Sequence, residues 1–323
     1  MPTINDQYVS QMVFDNSLTF EEGCELYLDS CRIRNLREGT INHYKQSYTQ
    51  FYKFFDRDML VSKITQKKYN EYILFLRSYI DNDVSINAYL RDFITTMHFL
   101  MREGYLEPFP MRAIKVDKPT VTTYTDAELR ALLKKPNLRE CNFMEYECWV
   151  ITNLLFSTGI RQRSLIHLKV KDIDFDNHIL HVNVTKNRKA LLVSLSATMI
   201  KILEEFLKYR QHTSGYDPLF CSVMGNQMTR SISYKNLYDY NKSRGVETTG
   251  LHRYRHTFAK QWVLNGGNVV SLSKILGHSS LQITQNYINL LISDVTKEVD
   301  ELSLIDKFTV HKKMKLEKIK PKR

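Results

Sequence analysis

Several short segments of this sequence carry side chains able to act on an anionic substrate. Residues 158–161 read Thr-Gly-Ile-Arg, which sets Arg161 just past a glycine turn at the end of an apolar, helix-like run. Lys186 lies in a polar turn, 185–189, between two strand-like runs, where a flexible ammonium can reach a ligand lying across the hairpin. Residues 251–259 read Leu-His-Arg-Tyr-Arg-His-Thr-Phe-Ala, and on a helix His252 and Arg255, at i and i+3, share one face. Leu276-Gly277-His278 follows, and Tyr287 stands in the amphipathic run 281–290. Singly, each has an ordinary explanation. An arginine beyond a turn is usually a surface ion pair, a turn lysine is usually solvated, and one tyrosine among nineteen is usually packing.

The order and spacing of the set weigh more than any member. An Arg in T-G-x-R, a Lys in a strand turn, H-x-x-R, L-G-H and a downstream Tyr are matched by Arg161, Lys186, His252 with Arg255, His278 and Tyr287. In this the chain resembles the tyrosine recombinase (phage integrase) family, and the resemblance covers most of its length. One departure is visible: members commonly carry an acidic residue three positions after the first arginine, and this chain has Ser164 there. Ser164 is expected to offer Arg161 an acceptor without charge assistance. Lys189 stands close enough to Lys186 to compete for its role, although Lys186 fits the family register better.

The resemblance implies attack on a DNA phosphodiester. A tyrosine hydroxyl ionises near pH 10, so at neutral pH only about one in a thousand is phenolate without help. Attack builds a phosphorane with extra negative charge, and the planar donor forks of Arg161 and Arg255 match its oxygens. His278 is implied to add a further donor. Lys186 is the candidate general acid for the departing 5′-oxygen. His252 either handles the tyrosine proton or binds a nonbridging oxygen. The product is a 3′-phosphotyrosine, which keeps the bond energy for rejoining, so no ATP and no cofactor are expected.

The elements that must position these residues can be read from periodicity. Thr19-x-x-Glu22 is a capping box. Thr40 opens a run in which Tyr44, Tyr48, Phe51, Tyr52 and Phe55 recur at helical spacing, 65–80 is helix-like, and a stripe from Ile86 to Met101 ends at Gly104. Three prolines between 108 and 119 and a threonine-rich run read as a linker. Thr125-x-x-Glu128 is a second capping box. Helix over 147–156, short strands over 178–184 and 190–195, a helix capped by Ser196 and reaching Arg210, and helices over 251–264, 271–275 and 281–290 follow. The expected fold is mainly α with a small β-sheet. The domain expectation is an N-terminal extension 1–17, a helical, SAM-like core-binding DNA-binding domain 18–115, a linker 116–124, a catalytic domain 125–305 and a basic tail 306–323. The resemblance implies a C-shaped clamp closed round the duplex. With only residues 1–17 ahead of the bundle, a compact form lacking the additional arm-binding domain is expected.

Composition is consistent with this reading and excludes some others. The chain has 323 residues, 43% hydrophobic and 25% charged, as expected of a globular protein of more than one domain. Of its net charge of +11, residues 307–323 supply eight Lys or Arg against Glu317, which suits a polyanion or a solvated tail equally. Five scattered cysteines without C-x-x-C spacing read as reduced thiols in a cytosol, and no apolar run of transmembrane length is present. Asp172-x-Asp174-x-Asp176 resembles the start of a calcium loop, but Asn177 and Asn183 stand where Gly and Glu are required, so these aspartates read as a turn. No zinc spacing occurs and no metal is expected. His167, His181 and His256 are read as structural.

The resulting expectation is a cytoplasmic site-specific recombinase that integrates and excises a mobile element. Its implied partners are double-stranded DNA, three further copies of itself in a tetramer on paired sites, and a directionality factor; no membrane is involved. The rivals are a type IB topoisomerase-like nicking and resealing enzyme and a noncatalytic DNA-binding relative.

Overall fold

A computed structural model describes residues 17–116, 122–185, 189–247, 249–278 and 284. The chain divides into two compact units, 1–119 and 120–323. The fold is mainly helical with a small antiparallel sheet, as the periodicity anticipates. None of the described helices is long and apolar enough to cross a membrane.

The first unit contains α1 (Phe20–Ile33), α2 (Glu38–Phe51), α3 (Gln66–Arg77) and α4 (Asp83–Arg102). Thr19 and Glu22 form the reciprocal capping box at the start of α1. Contrary to the pattern, α2 starts ahead of Thr40, with Arg37 at the cap position and Glu38 favourably placed at the positive helix end. Phe55 lies beyond the end of α2, yet a turn from Phe51 returns it to the core, stacked on Phe93 at 5.2 Å between ring centres. Phe51 meets the edge of the same ring, and Tyr72 packs on both. This aromatic cluster ties all four helices together, since Phe20 of α1 also joins it.

The second unit contains α5 (Asp126–Leu133), α6 (Phe143–Thr158), the one-turn α7 (Gln162–Leu165), β1 (Ile173–Asp174), β2 (Ile179–Val182), β3 (Leu191–Ser194), α8 (Ala197–Tyr209), α9 (Arg230–Ser243), α10 (Leu251–Leu264) and α11 (Val269–Leu276). The Thr125 and Glu128 capping box opens α5, and Ser196 caps α8. Helix α6 is buried almost all round, packed by α5, α8, α9 and α10, and forms the axis of the unit. The strands pair in the order β1-β2-β3, with Leu180 opposite Val193. The aspartates of the calcium-like segment make a turn: Asp174 accepts from the Asn177 amide at 2.9 Å, and Asp172 from Lys169 at 2.9 Å and Asn183 at 3.0 Å. The described residues contain no group of three metal-ligating side chains, and all five cysteines are free thiols.

Three elements of this unit escape the sequence pattern, the one-turn α7 among them. β1 is only two residues long. Helix α9 is polar overall, and the face it buries carries Ser233 and Asn241 beside Leu237 and Tyr240, so no apolar stripe announces it. Its opening signal is Thr229, which caps the helix by accepting from the Ile232 amide. Asn241 is wholly buried and fully engaged, donating to the Tyr124 hydroxyl at 3.0 Å and accepting from that of Tyr254 at 2.7 Å.

Glu147, in the middle of α6, has no solvent exposure. One carboxyl oxygen accepts from the Cys221 amide at 2.9 Å, while the other has no partner. Burial pushes this carboxyl up to about 8, with the Cys221 hydrogen bond and the charge of Arg210 pulling the other way. The folded state therefore keeps a proton that the unfolded state releases near pH 4.5. Stability is expected to fall as pH rises between 4.5 and 8 and to level off above that window. In Glu147→Gln this contribution to the slope should vanish, which urea denaturation of the two proteins on either side of the window will show.

Candidate active site

Helix α10 supplies the centre of the site. Leu251, Tyr254, Arg255, Thr257, Phe258 and Ala259 are its buried positions, so Arg255 occupies a place in a largely apolar stripe and is only 4% exposed. Two backbone carbonyls and a ring nitrogen direct its guanidinium. One terminal nitrogen donates to Gly159 O at 2.8 Å, and the other donates to Leu276 O at 2.7 Å and to His278 Nε2 at 2.7 Å. Both carbonyls belong to helix C-termini, the ends of α6 and α11, where the helix dipole favours a cation.

Those two helices end alike, on glycines in the left-handed region, Gly159 at φ +61° and Gly277 at φ +60°. At Gly159 a second constraint applies. A Cβ there would stand 2.5 Å from Phe258 Cδ1 and 2.8 Å from Leu276 Cδ2, so only glycine lets α6 end against α10 and α11. Two residues later the chain reaches Arg161, the N-cap residue of α7, which donates to the same Leu276 O at 3.3 Å. One carbonyl oxygen thus gathers two guanidinium groups that lie far apart in sequence.

His278 takes its place from the same arrangement. With Nε2 accepting from Arg255, its proton resides on Nδ1, which donates to the Thr284 hydroxyl at 2.8 Å. Burial, then the charges of Arg255 and Arg161, lower its pKa to about 4, so the ring is neutral at physiological pH. The ring nitrogen facing Arg255 is therefore an acceptor in this arrangement. His252 is exposed on α10, one turn before the half-buried His256, with 6.2 Å between their ring centres. Burial first, then His252 and Arg255, lower the pKa of His256.

A cavity of about 440 Å³ opens on this cluster, lined by Arg161, Ser164, Thr185, Lys189, Arg255 and His278 together with apolar residues of β2, β3 and α11. Ser164 is buried, and its hydroxyl donates to Val184 O at 2.8 Å instead of only offering Arg161 an acceptor. Lys186 and Tyr287, the turn holding Lys186 at 186–188, and all of 281–290 except Thr284 lie outside the described residues, as do the basic tail and the N-terminal extension up to residue 16. Of the six candidates, the structure therefore brings Arg161, Arg255 and His278 together and places His252 on the same helix as Arg255.

The model of the phage integrase family matches residues 123–293, more than half of the chain. The chain belongs to that family. It is a tyrosine site-specific recombinase. Among curated relatives, tyrosine recombinase XerD of Listeria innocua is 25% identical over 82% of this chain and 93% of its own length. Tyrosine recombinase XerA of Saccharolobus solfataricus is 26% identical over 84% of this chain and 89% of its own. Among solved structures, the Tn1549 transposon integrase in complex with transposon right end DNA superposes with a TM-score of 0.72 at 20% identity, covering 88% of this chain and all of that one. A lambda integrase dimer bound to a COC′ core site gives 0.68 at 16% identity over 84% and 78%. At these identities the structural likenesses show a shared fold.

Within this integrase-family unit, two further contacts went unread in the sequence. Gln162, beside Arg161, donates to Arg230 O and the Ser233 hydroxyl, both at 2.8 Å, fixing α9 to the Arg161 turn. Arg253 donates to Thr123 O at 2.9 Å, pairs with Glu128 at 3.1 Å and lies over the Tyr124 ring, fixing α10 to the start of the unit. The separation in sequence hides both.

Gly159→Ala is expected to lower stability by about 2–4 kcal/mol, because the new methyl meets both a disfavoured backbone region and two packed side chains. Urea denaturation checks it; wild-type stability would show that α6 can end differently.

Proposed function

We propose that this recombinase cleaves and rejoins double-stranded DNA through a covalent 3′-phosphotyrosine at Tyr287. The phenolic oxygen of Tyr287 bonds to phosphorus and the bond to the 5′-oxygen breaks. The phenol proton leaves through His252 or solvent, and Lys186 supplies the proton taken up by the departing 5′-oxygen. The reverse step, with a 5′-hydroxyl from another strand as nucleophile, restores the phosphodiester and frees the tyrosine without an external energy source.

The observation that carries this reading is the pair of guanidinium groups meeting at Leu276 O beside an open cavity. Two cations held this close by backbone carbonyls form a preorganised receptor for a group whose negative charge grows during reaction. His252, if it instead binds a nonbridging oxygen, adds to the same receptor. The first unit is read as the core-binding domain, 18–115, and 125–305 as the catalytic domain, joined by the linker 116–124. DNA is the substrate, four copies act together on paired sites, and the protein works in the cytoplasm with a directionality factor.

Integration and excision of a mobile element is the preferred biological role. A transposon integrase and lambda integrase among the solved neighbours support it, while the Xer relatives keep other recombination settings in view. Sequencing the junctions formed when the protein is supplied with the DNA flanking its gene distinguishes strand exchange between two sites from resealing within one.

A nicked duplex bearing that junction sequence should trap a covalent adduct with the wild-type protein and none with Tyr287→Phe. An adduct that survives the substitution would reassign the nucleophile, and a wild-type protein that binds without forming one would favour the noncatalytic reading. Arg255→Ala should slow cleavage by about 100-fold or more at saturating protein while most affinity remains, since many phosphate contacts share the binding energy.

A further inference from the structure

Ser164 does something a carboxylate at its position cannot do. It is 6% exposed, and its hydroxyl donates to Val184 O at 2.8 Å. An ionised Asp or Glu has no proton to give and would repel that carbonyl. Ser164 belongs to the single helical turn that starts at Arg161, whose carbonyl accepts from the Leu165 amide at 3.0 Å. Val184 lies past the last paired residue of β2, so its carbonyl has left the ladder with β3 and needs a donor from elsewhere. A helical serine often bonds to a carbonyl one turn back. This one reaches a carbonyl on another segment.

Val184 stands two residues before Lys186. On the other side of the turn the Thr185 hydroxyl donates to Lys189 O at 2.6 Å. The root of the Lys186 turn is therefore closed on itself by Thr185 and anchored to the Arg161 segment by Ser164. We propose that Ser164 is a positioning residue for the general-acid step. Its hydroxyl sets the root of the Lys186 turn relative to Arg161, so that the ammonium meets the leaving 5′-oxygen while the guanidinium holds the phosphate. This rests on the reading of Lys186 as the general acid.

The test compares two leaving groups in one nicked duplex: the normal 5′-oxygen, and a 5′-bridging sulfur, which departs as a thiolate and needs no proton. Single-turnover cleavage is measured at saturating protein for the wild type, Lys186→Ala, Ser164→Ala and Ser164→Cys, which keeps a weak donor of similar size. Lys186→Ala should be slowed about 100-fold or more on the oxygen substrate and restored to near wild-type rate on sulfur. Ser164→Ala should be slowed about 10-fold on oxygen and stay within about 2-fold of wild type on sulfur, with Ser164→Cys in between. The oxygen-to-sulfur rate ratio is taken within one sample, so a partly unfolded preparation does not alter it. If Lys186→Ala is rescued by sulfur but Ser164→Ala is equally slow on both substrates, or unslowed on oxygen, the role given to Ser164 is overturned. If Lys186→Ala is not rescued, the general-acid reading itself fails.

Discussion

The second unit is organised around one carbonyl oxygen. Leu276 O accepts from both Arg161 and Arg255, and like charges do not gather so closely unless something holds them. What holds them is the electronegative end of α11, reinforced for Arg255 by the end of α6 at Gly159 O. Each helix exposes its last carbonyls because it stops on a left-handed glycine. The hydrophobic core decides where those ends fall. Phe258 and Leu276 press against Gly159, so the packing that buries α10 also sets the spacing of the arginines.

Burial and the charges of the two arginines also act on a neighbouring ring. His278 is lowered to about 4 by burial and by both arginines, and as a neutral ring it accepts from Arg255. Among the described residues Gly159 O, Leu276 O and His278 Nε2 thereby accept from the buried Arg255, and losing any of them would weaken the support of a buried charge. The polar contacts farther out serve the same end. Arg253 with Glu128 and Tyr124, and Asn241 with Tyr124 and Tyr254, pin the first turn of α10, while Gln162 pins the Arg161 turn to α9. The candidate site is rigid because its backbone supports are.

Much of this was legible before any coordinates. The H-x-x-R segment, the glycine before Arg161 and the glycine before His278 mark candidate side chains beside helix ends, and the two Thr-x-x-Glu boxes mark where α1 and α5 start. Arg255 also betrays itself by falling on the apolar stripe of its own helix, where a charge has no business unless it is held for a purpose. Other features were illegible for physical reasons. Periodicity reads apolar stripes, so it missed α9, which buries serine and asparagine through hydrogen bonds. It misjudged the start of α2 because Arg37 and Glu38 make an adequate helix opening without a capping side chain. It could not show that Ser164 donates to a carbonyl across the fold, since nothing in a serine's neighbours announces its distant partner.

The same distinction explains why the departure at Ser164 leaves the arrangement intact. A carboxylate near Arg161 would neutralise part of the charge that the cavity presents. Here the guanidinium donates to Leu276 O, an uncharged acceptor, and the serine hydroxyl donates to Val184 O. An uncharged acceptor steadies the guanidinium without offsetting its charge, which favours attraction to a phosphate. Such a design holds its shape only if the supporting carbonyls cannot move. The left-handed glycines and the contacts that crowd Gly159 supply that rigidity.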